Sequence, residues 1–268
     1  MNILKPLFYC SLLFLASCGE NKPGEMKDIQ TEKKPKGELH ERHNKSGLED
    51  STGYILDDLK TGDWKYYDTE NNLFAEGSYL KGKKDGLWKF YYPNGAVKEE
   101  SNWSNDLPNG SIKLFYNSGQ IHLETQNNNG LADGKRLEYY PDGTKMSETN
   151  FKSGKLDGSF KTWYMNGILK ESTQFINNKK EGPSTTYFDT GAMYTNGSYK
   201  NDKEHGVVVF YYDNGNKREQ TEWKDGLKHG TSKLFYPTGE IQYSHYYKDD
   251  KQISETVEYD KEGNVIKK

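Results

Sequence analysis

Cysteine is almost missing from this chain: its 268 residues hold two, Cys10 and Cys18, so no disulfide framework is available beyond the first 18 positions. Hydrophobic residues are scarce at 32%, below the roughly 45–50% (glycine included) of an ordinary soluble domain, which excludes a large aliphatic core. A charge excess is missing too. With 37 basic against 40 acidic residues there is no Lys and Arg footprint for nucleic acid. Only one long apolar run exists, Pro6 to Ser17, and it is too short to span a bilayer as a mature helix. No window holds a sustained helical period. What the chain has instead is rings: 14% of it is aromatic, including 21 Tyr, so burial must come mostly from them.

Glycine gives the organisation. It recurs at Gly62, Gly86, Gly110, Gly134, Gly158, Gly182, Gly206 and Gly230, an unbroken interval of 24 residues. A second series follows nine places behind, from Gly95 and Gly119 to Gly263, with Asn71 in its first place. A fixed period of this length predicts tandem units that bury their apolar faces only against one another.

Let the first glycine be position zero. Position five is then a ring in every unit (Tyr67, Tyr91, Phe115 and onward to Tyr259), position eleven is mostly aliphatic, and position seventeen is mostly aromatic. These positions share a parity, and residues of equal parity on a strand share a face, so the three rows are expected together, with position five buried. Each unit reads as one β-hairpin. Tyr92-Pro93-Asn94-Gly95 and Tyr140-Pro141-Asp142-Gly143 predict a three-residue loop: a type I turn followed by a left-handed glycine, with position five opposite position eleven. A second polar turn, such as Lys81 to Gly86, joins successive hairpins. Two strands about 4.8 Å apart advance each unit by about 9.6 Å. The predicted fold is all-β, an elongated single-ribbon antiparallel meander of 24-residue hairpins over 53–268. Pro183, on a first strand, predicts weaker pairing in its unit.

Before the array come two other segments. Residues 18–52 are polar and charged, and predict a disordered tether. Residues 1–17 read as a signal peptide. Its end, Leu15-Ala16-Ser17-Cys18, resembles the lipobox of bacterial lipoproteins, which implies cleavage before Cys18 and acylation of that cysteine. The expected location is the cell envelope, with the membrane as partner through the lipid. Gly19 in place of a retention-type Asp points to the outer membrane if the source is Gram-negative.

Asp85-Gly86-Leu87-Trp88-Lys89-Phe90-Tyr91-Tyr92-Pro93-Asn94-Gly95 and its counterparts from Asp133 and His229 resemble the MORN repeat in its bacterial variant form. An array of such units is similar to the family labelled YwqK-type antitoxin. The resemblance implies a ribbon that binds lipids or proteins rather than catalysing. An antitoxin role implies a cytoplasmic target, whereas this chain carries an export signal.

Chemistry is sparse. His205 and His229 occupy the same position in consecutive units, too far apart at about 10 Å to share a zinc ion. Glu76, Glu100, Glu124 and Glu148 recur at position fourteen and read as a solvated sheet face. No phosphate loop or Ser-His-Asp arrangement is visible. The expectation is a non-enzymatic scaffold without cofactor or metal, binding an unknown protein partner. Its candidate face is the position-six row: Tyr92, Tyr116, Tyr140, Tyr164, Phe188, Tyr212 and Tyr236. A glycan or peptidoglycan stacked on these rings is the alternative.

Overall fold

The computed structural model describes residues 37–43, 47 and 49–267; the signal segment 1–17, Cys18 and the tether up to residue 36 lie outside the described residues. Within the described residues all 24 regular elements are strands, joined in one antiparallel meander; two-residue strands such as Lys83–Lys84 pair only with the strand before them, which also pairs with the strand that follows, here Gly86–Tyr91. The sheet is open. Its first strand, Glu38–His43, pairs with Glu49–Leu56, and its last, Val265–Lys267, pairs with Val257–Tyr259.

The hairpin loop is the one its residues predict. The Gly95 N–H donates to the Tyr92 carbonyl at 2.9 Å, and the Tyr92 N–H donates to the Ala96 carbonyl at 2.8 Å. Gly95 is left-handed at φ 79°, and Tyr91 faces Val97, position five opposite position eleven. Asn71 holds the same conformation at φ 65° in the first loop, which explains why Asn can replace glycine there.

The joint between hairpins is tighter than the sequence suggests. It has two residues, both with positive φ, as in Asn105 (52°) with Asp106 (67°) or Lys81 (52°) with Gly82 (79°). This is the type I′ geometry, whose twist matches that of the flanking strands. At four joints whose second residue is not glycine, its side chain ties the turn to the joint before it: Asp106, Asn178, Asp202 and Asp250 each accept a backbone N–H 22 residues earlier at 2.7 Å.

Two expectations need correction. The zero-position glycine does not adjoin this turn; Gly86 starts the strand Gly86–Tyr91, opposite Trp103, with φ 84°. There it allows the adjoining ladder to shift register, as between Ser101↔Ile112 and Trp103↔Pro108 around Gly110. The second correction concerns the faces. Within the hairpin, Phe90 pairs with Glu99 while Tyr91 pairs with Val97, so Lys98 is an extra residue, a β-bulge. The bulge reverses parity along the second strand. Positions five and eleven share one face, and position seventeen lies on the other with positions two, four and fifteen.

The deepest burial is consequently at positions two and fifteen, not five: Ser101 and Thr173 at position fifteen are 0% and 1% exposed. Trp88 is 1% and Trp64 2% exposed, while the position-five rings are mostly half-buried. The boundary of the array moves as well. Glu38–His43 and Glu49–Leu56 fall in or begin within the stretch 18–52 expected to be disordered, because Trp64 supplies the burial that those residues lack: its ring covers Gly53 and lies 5.7 Å from the His40 ring. Pro183 interrupts nothing, and Lys179–Tyr187 runs as one strand with Pro183 exposed opposite Ser198.

Candidate binding faces

The core face is assembled from rungs that join position two of one unit to position fifteen of the unit before. Trp88 lies over Gly77, where an added Cβ would stand 2.3 Å from its Cδ2, and Trp64 lies over Gly53 in the same way. The Trp88 indole N–H donates to the Ser78 carbonyl at 3.0 Å. Elsewhere the rung is small and polar. Thr173 Oγ1 and Ser184 Oγ share a hydrogen bond of 2.8 Å, as do Thr221 and Ser232.

At the tryptophan end this face is covered by lysines. Lys60 Nζ lies 4.3 Å from the Trp64 ring and donates to the Tyr66 hydroxyl at 2.8 Å, which in turn donates to the Tyr79 hydroxyl at 2.9 Å. Lys84 Nζ lies 4.4 Å from the Trp88 ring and 4.6 Å from that of Trp103. Burial lowers the pKa of both ammonium groups, with Arg42 adding to the effect at Lys60, and burial raises the Tyr66 phenol. These rings are already occupied by cations of the protein itself.

One unit breaks the rule of the rung. Arg136 stands at position two, where the others carry Trp, Ile, Phe, Ser or Val. Its Nη2 meets Glu138 Oε1 at 2.6 Å, and Ser147 Oγ donates to Glu138 Oε2 at 3.0 Å. Its Nε is buried without a partner. Beside it opens a cleft of about 540 Å³, lined in part by Tyr140, Met146, Phe151, Phe160 and Trp163. The Arg136 side chain as a whole is 41% exposed and paired with Glu138, as a guanidinium placed in a core row must stay solvated or paired.

The position-six rings are partly used by the fold. The Tyr92 hydroxyl donates to the Phe115 carbonyl at 2.7 Å, and Tyr116, Tyr140, Tyr164, Tyr212 and Tyr236 make the same bond to the next unit at 2.7–3.1 Å. Phe188 has no hydroxyl and packs on Tyr194 at 4.9 Å. Of the seven, Tyr140 lines the cleft.

On the opposite face the carboxylate row is paired. Lys89–Glu100 (3.2 Å), Lys113–Glu124 (3.6 Å) and Lys135–Glu148 (2.9 Å) are ion pairs, and Lys145 also reaches Glu148 at 2.9 Å. Hydrogen bonds from Lys135 and Lys145 hold the Glu148 carboxyl below its ordinary range. The Tyr91 hydroxyl donates to Glu76 at 2.6 Å, and its phenol is pushed up to about 12, by burial first and Glu76 second. His205 and His229 lie against Asp225 (3.5 Å) and Asp249 (3.1 Å), each on the following turn. Sequence reasoning missed the rungs and the cleft, although an Arg in an otherwise uncharged row was visible once the row was known.

Residues 84–105, 132–153, 204–225 and 228–249 match the family described as MORN repeat variant. No curated protein matches the chain.

Proposed function

We propose, from the premise that this chain carries MORN repeat variants in tandem, that it is a non-enzymatic, lipid-anchored scaffold holding a protein partner on its core face. The observation behind this is the Arg136 cleft: the one charged residue in the buried row, with an unpartnered Nε, beside about 540 Å³ of ring-lined space. Such a cleft accepts an apolar side chain together with a carbonyl or carboxylate. Acylated Cys18 holds the scaffold in the cell envelope, at the outer membrane if the source is Gram-negative. Glycan stacking on the position-six rings is the weaker reading, because six of the seven spend their hydroxyls on the neighbouring unit. An antitoxin component is weaker again, since export separates it from a cytoplasmic target.

A photo-cross-linking residue at Met146, in the cleft, should give one defined protein adduct in intact cells, and Arg136→Met should abolish it. The same residue at Asn128, outside the cleft, should give none; adducts alike at both positions would overturn the reading. Cys18→Ala should release the protein from membranes, and unchanged membrane partitioning would refute the anchor.

A further inference from the structure

The first four type I′ joints all carry leucine. Leu56 and Leu59 face each other across the first, Leu80 faces Lys83 across the second, Leu107 faces Ser104 across the third, and Leu131 faces Asn128 across the fourth. Leu87 lies between Leu80 and Leu107 in strand order. Side-chain alternation puts all six on the ion-pair face. Leu80 is four places beyond Glu76 on one strand, Leu87 is two before Lys89 on another, and the other four hold the same or the directly opposite position at their own joints. Each is 44–57% exposed. The fifth joint carries Lys152 and Lys155 instead, and beyond it Ile176 and Leu227 stand two joints apart.

These side chains do little for a single copy. Leu59, Leu107 and Leu131 lean on the glycines of the next joint, Gly82, Gly130 and Gly154, and leave the rest of their surface in water. At about 4.8 Å per strand the strip runs roughly 35 Å, from Leu56 to Leu131. An apolar strip of that extent, along one edge of a sheet otherwise rich in charge, marks an interaction surface. Six half-exposed leucines amount to on the order of 500 Å² per copy, and so to about 1,000 Å² in a two-fold contact, the lower bound for a specific interface.

We propose that a second copy of this chain covers the strip, the two copies running antiparallel about a two-fold axis between the second and third joints. The area meets what a dimer needs, and charge sets its direction. Residues 56–61 hold two Asp and one Lys (net −1), 80–85 three Lys and one Asp (net +2), 104–109 one Asp (net −1) and 128–133 one Asp (net −1). A parallel pair sets each joint on its own copy, with +2 against +2. The antiparallel pair sets the second joint on the third, +2 against −1, twice over; only the first and fourth, −1 against −1, repel. Lys60 and Lys84 lie over the core-face rings of Trp64 and Trp88, and leaving them out still makes the antiparallel pair the less repulsive of the two. A bilayer fits less well, because three of the four joints are net negative and a row one leucine deep gives it little to hold. The strip is independent of the Arg136 cleft, and none of its residues lines that cleft.

The test is the protein mass of the full chain in detergent, measured by light scattering over a range of concentrations. It should show a monomer–dimer equilibrium in roughly the micromolar range. Leu80→Gln with Leu107→Gln should weaken that equilibrium by about tenfold or more, while Ile176→Gln with Leu227→Gln, outside the strip, should leave it unchanged. Thermal unfolding of both double variants should match wild type, since all four positions are exposed. Direction is read with a short bismaleimide cross-linker: Leu56→Cys chains mixed with Leu131→Cys chains should join to each other, and Leu56→Cys chains alone should not. A chain that stays monomeric up to about 100 μM overturns the proposal. So does equal weakening in the two Gln variants, joining of Leu56→Cys chains to themselves, or leucine-dependent binding to phosphatidylcholine–phosphatidylglycerol vesicles in place of the dimer.

Discussion

The two ends of the core row solve one packing problem with opposite means. Near the front, Trp64 and Trp88 lie over Gly53 and Gly77; farther along, Ser184 and Ser232 bond to Thr173 and Thr221. Val208 over Gly197 is an intermediate case. A large side chain is matched by none, and a small one by a hydroxyl that fills the space and satisfies its partner. The constant parts of the unit are therefore its turns and bulges. Side-chain content varies freely provided that each rung fills its space.

That comparison can be broken. Trp88→Ala should cost about 3–5 kcal/mol in chemical denaturation, the largest effect of any single change here. Gly77→Thr should also destabilise, because its Cβ would stand 2.3 Å from Trp88. Joining it with Trp88→Ser converts the rung to the Ser–Thr type, and the double variant should lose clearly less than the sum of the singles. Additive losses would mean that the rung is not the unit of packing. At the polar end, Thr173→Val leaves the buried Ser184 hydroxyl short of a partner and should cost about 1–3 kcal/mol by the same measurement.

Smaller effects sharpen it. Tyr164→Phe removes one bond to the next unit, at the Tyr187 carbonyl, and should cost about 0.5–1.5 kcal/mol in thermal or denaturant unfolding. Phe188 already lacks this bond, so Phe188→Tyr should recover a similar amount. Last comes Glu148, whose side chain is 15% exposed between two lysines. Its folded pKa is depressed, so its contribution is present above the ordinary carboxylate range and is lost as pH falls through the lower folded value. Wild type should exceed Glu148→Gln by about 0.2–1 kcal/mol at neutral pH, and the gap should close below about pH 4.

The hairpins were legible in the sequence because turn chemistry is local. Pro93, Asn94 and Gly95 each favour one backbone conformation, and together they fixed the loop and the pairing of position five with eleven. The faces were not legible. A single bulge at position twelve leaves every spacing intact while reversing parity, so counting from Tyr91 to Trp103 gave the wrong side. Gly53, Gly77, Thr173 and Thr221 also carry no apolar signal of their own, and their burial is visible only beside the residues that cover them. The type I′ joints were obscured by Lys81 and Ser153, which take positive φ although neither type favours it. Arg136 likewise carries no signal of its own, and only its place in the core row sets it apart.

The loops give the array a direction. Tyr92, Tyr140 and Tyr212, with Asn94, Asn166 and Asn214, all reach toward the following unit's backbone. Opening one hairpin therefore strips these anchors from the unit before it and leaves the unit after it with its own intact. Along this loop edge disruption should travel more easily toward the amino end, while the joint edge, where Asp106, Asn178, Asp202 and Asp250 reach back to the unit before, favours the opposite sense. Each edge of such a strip unzips in its own sense, and hydrogen exchange in a chain opened at one hairpin would record it as loss of protection reaching toward the amino end along the loops and toward the carboxyl end along the joints.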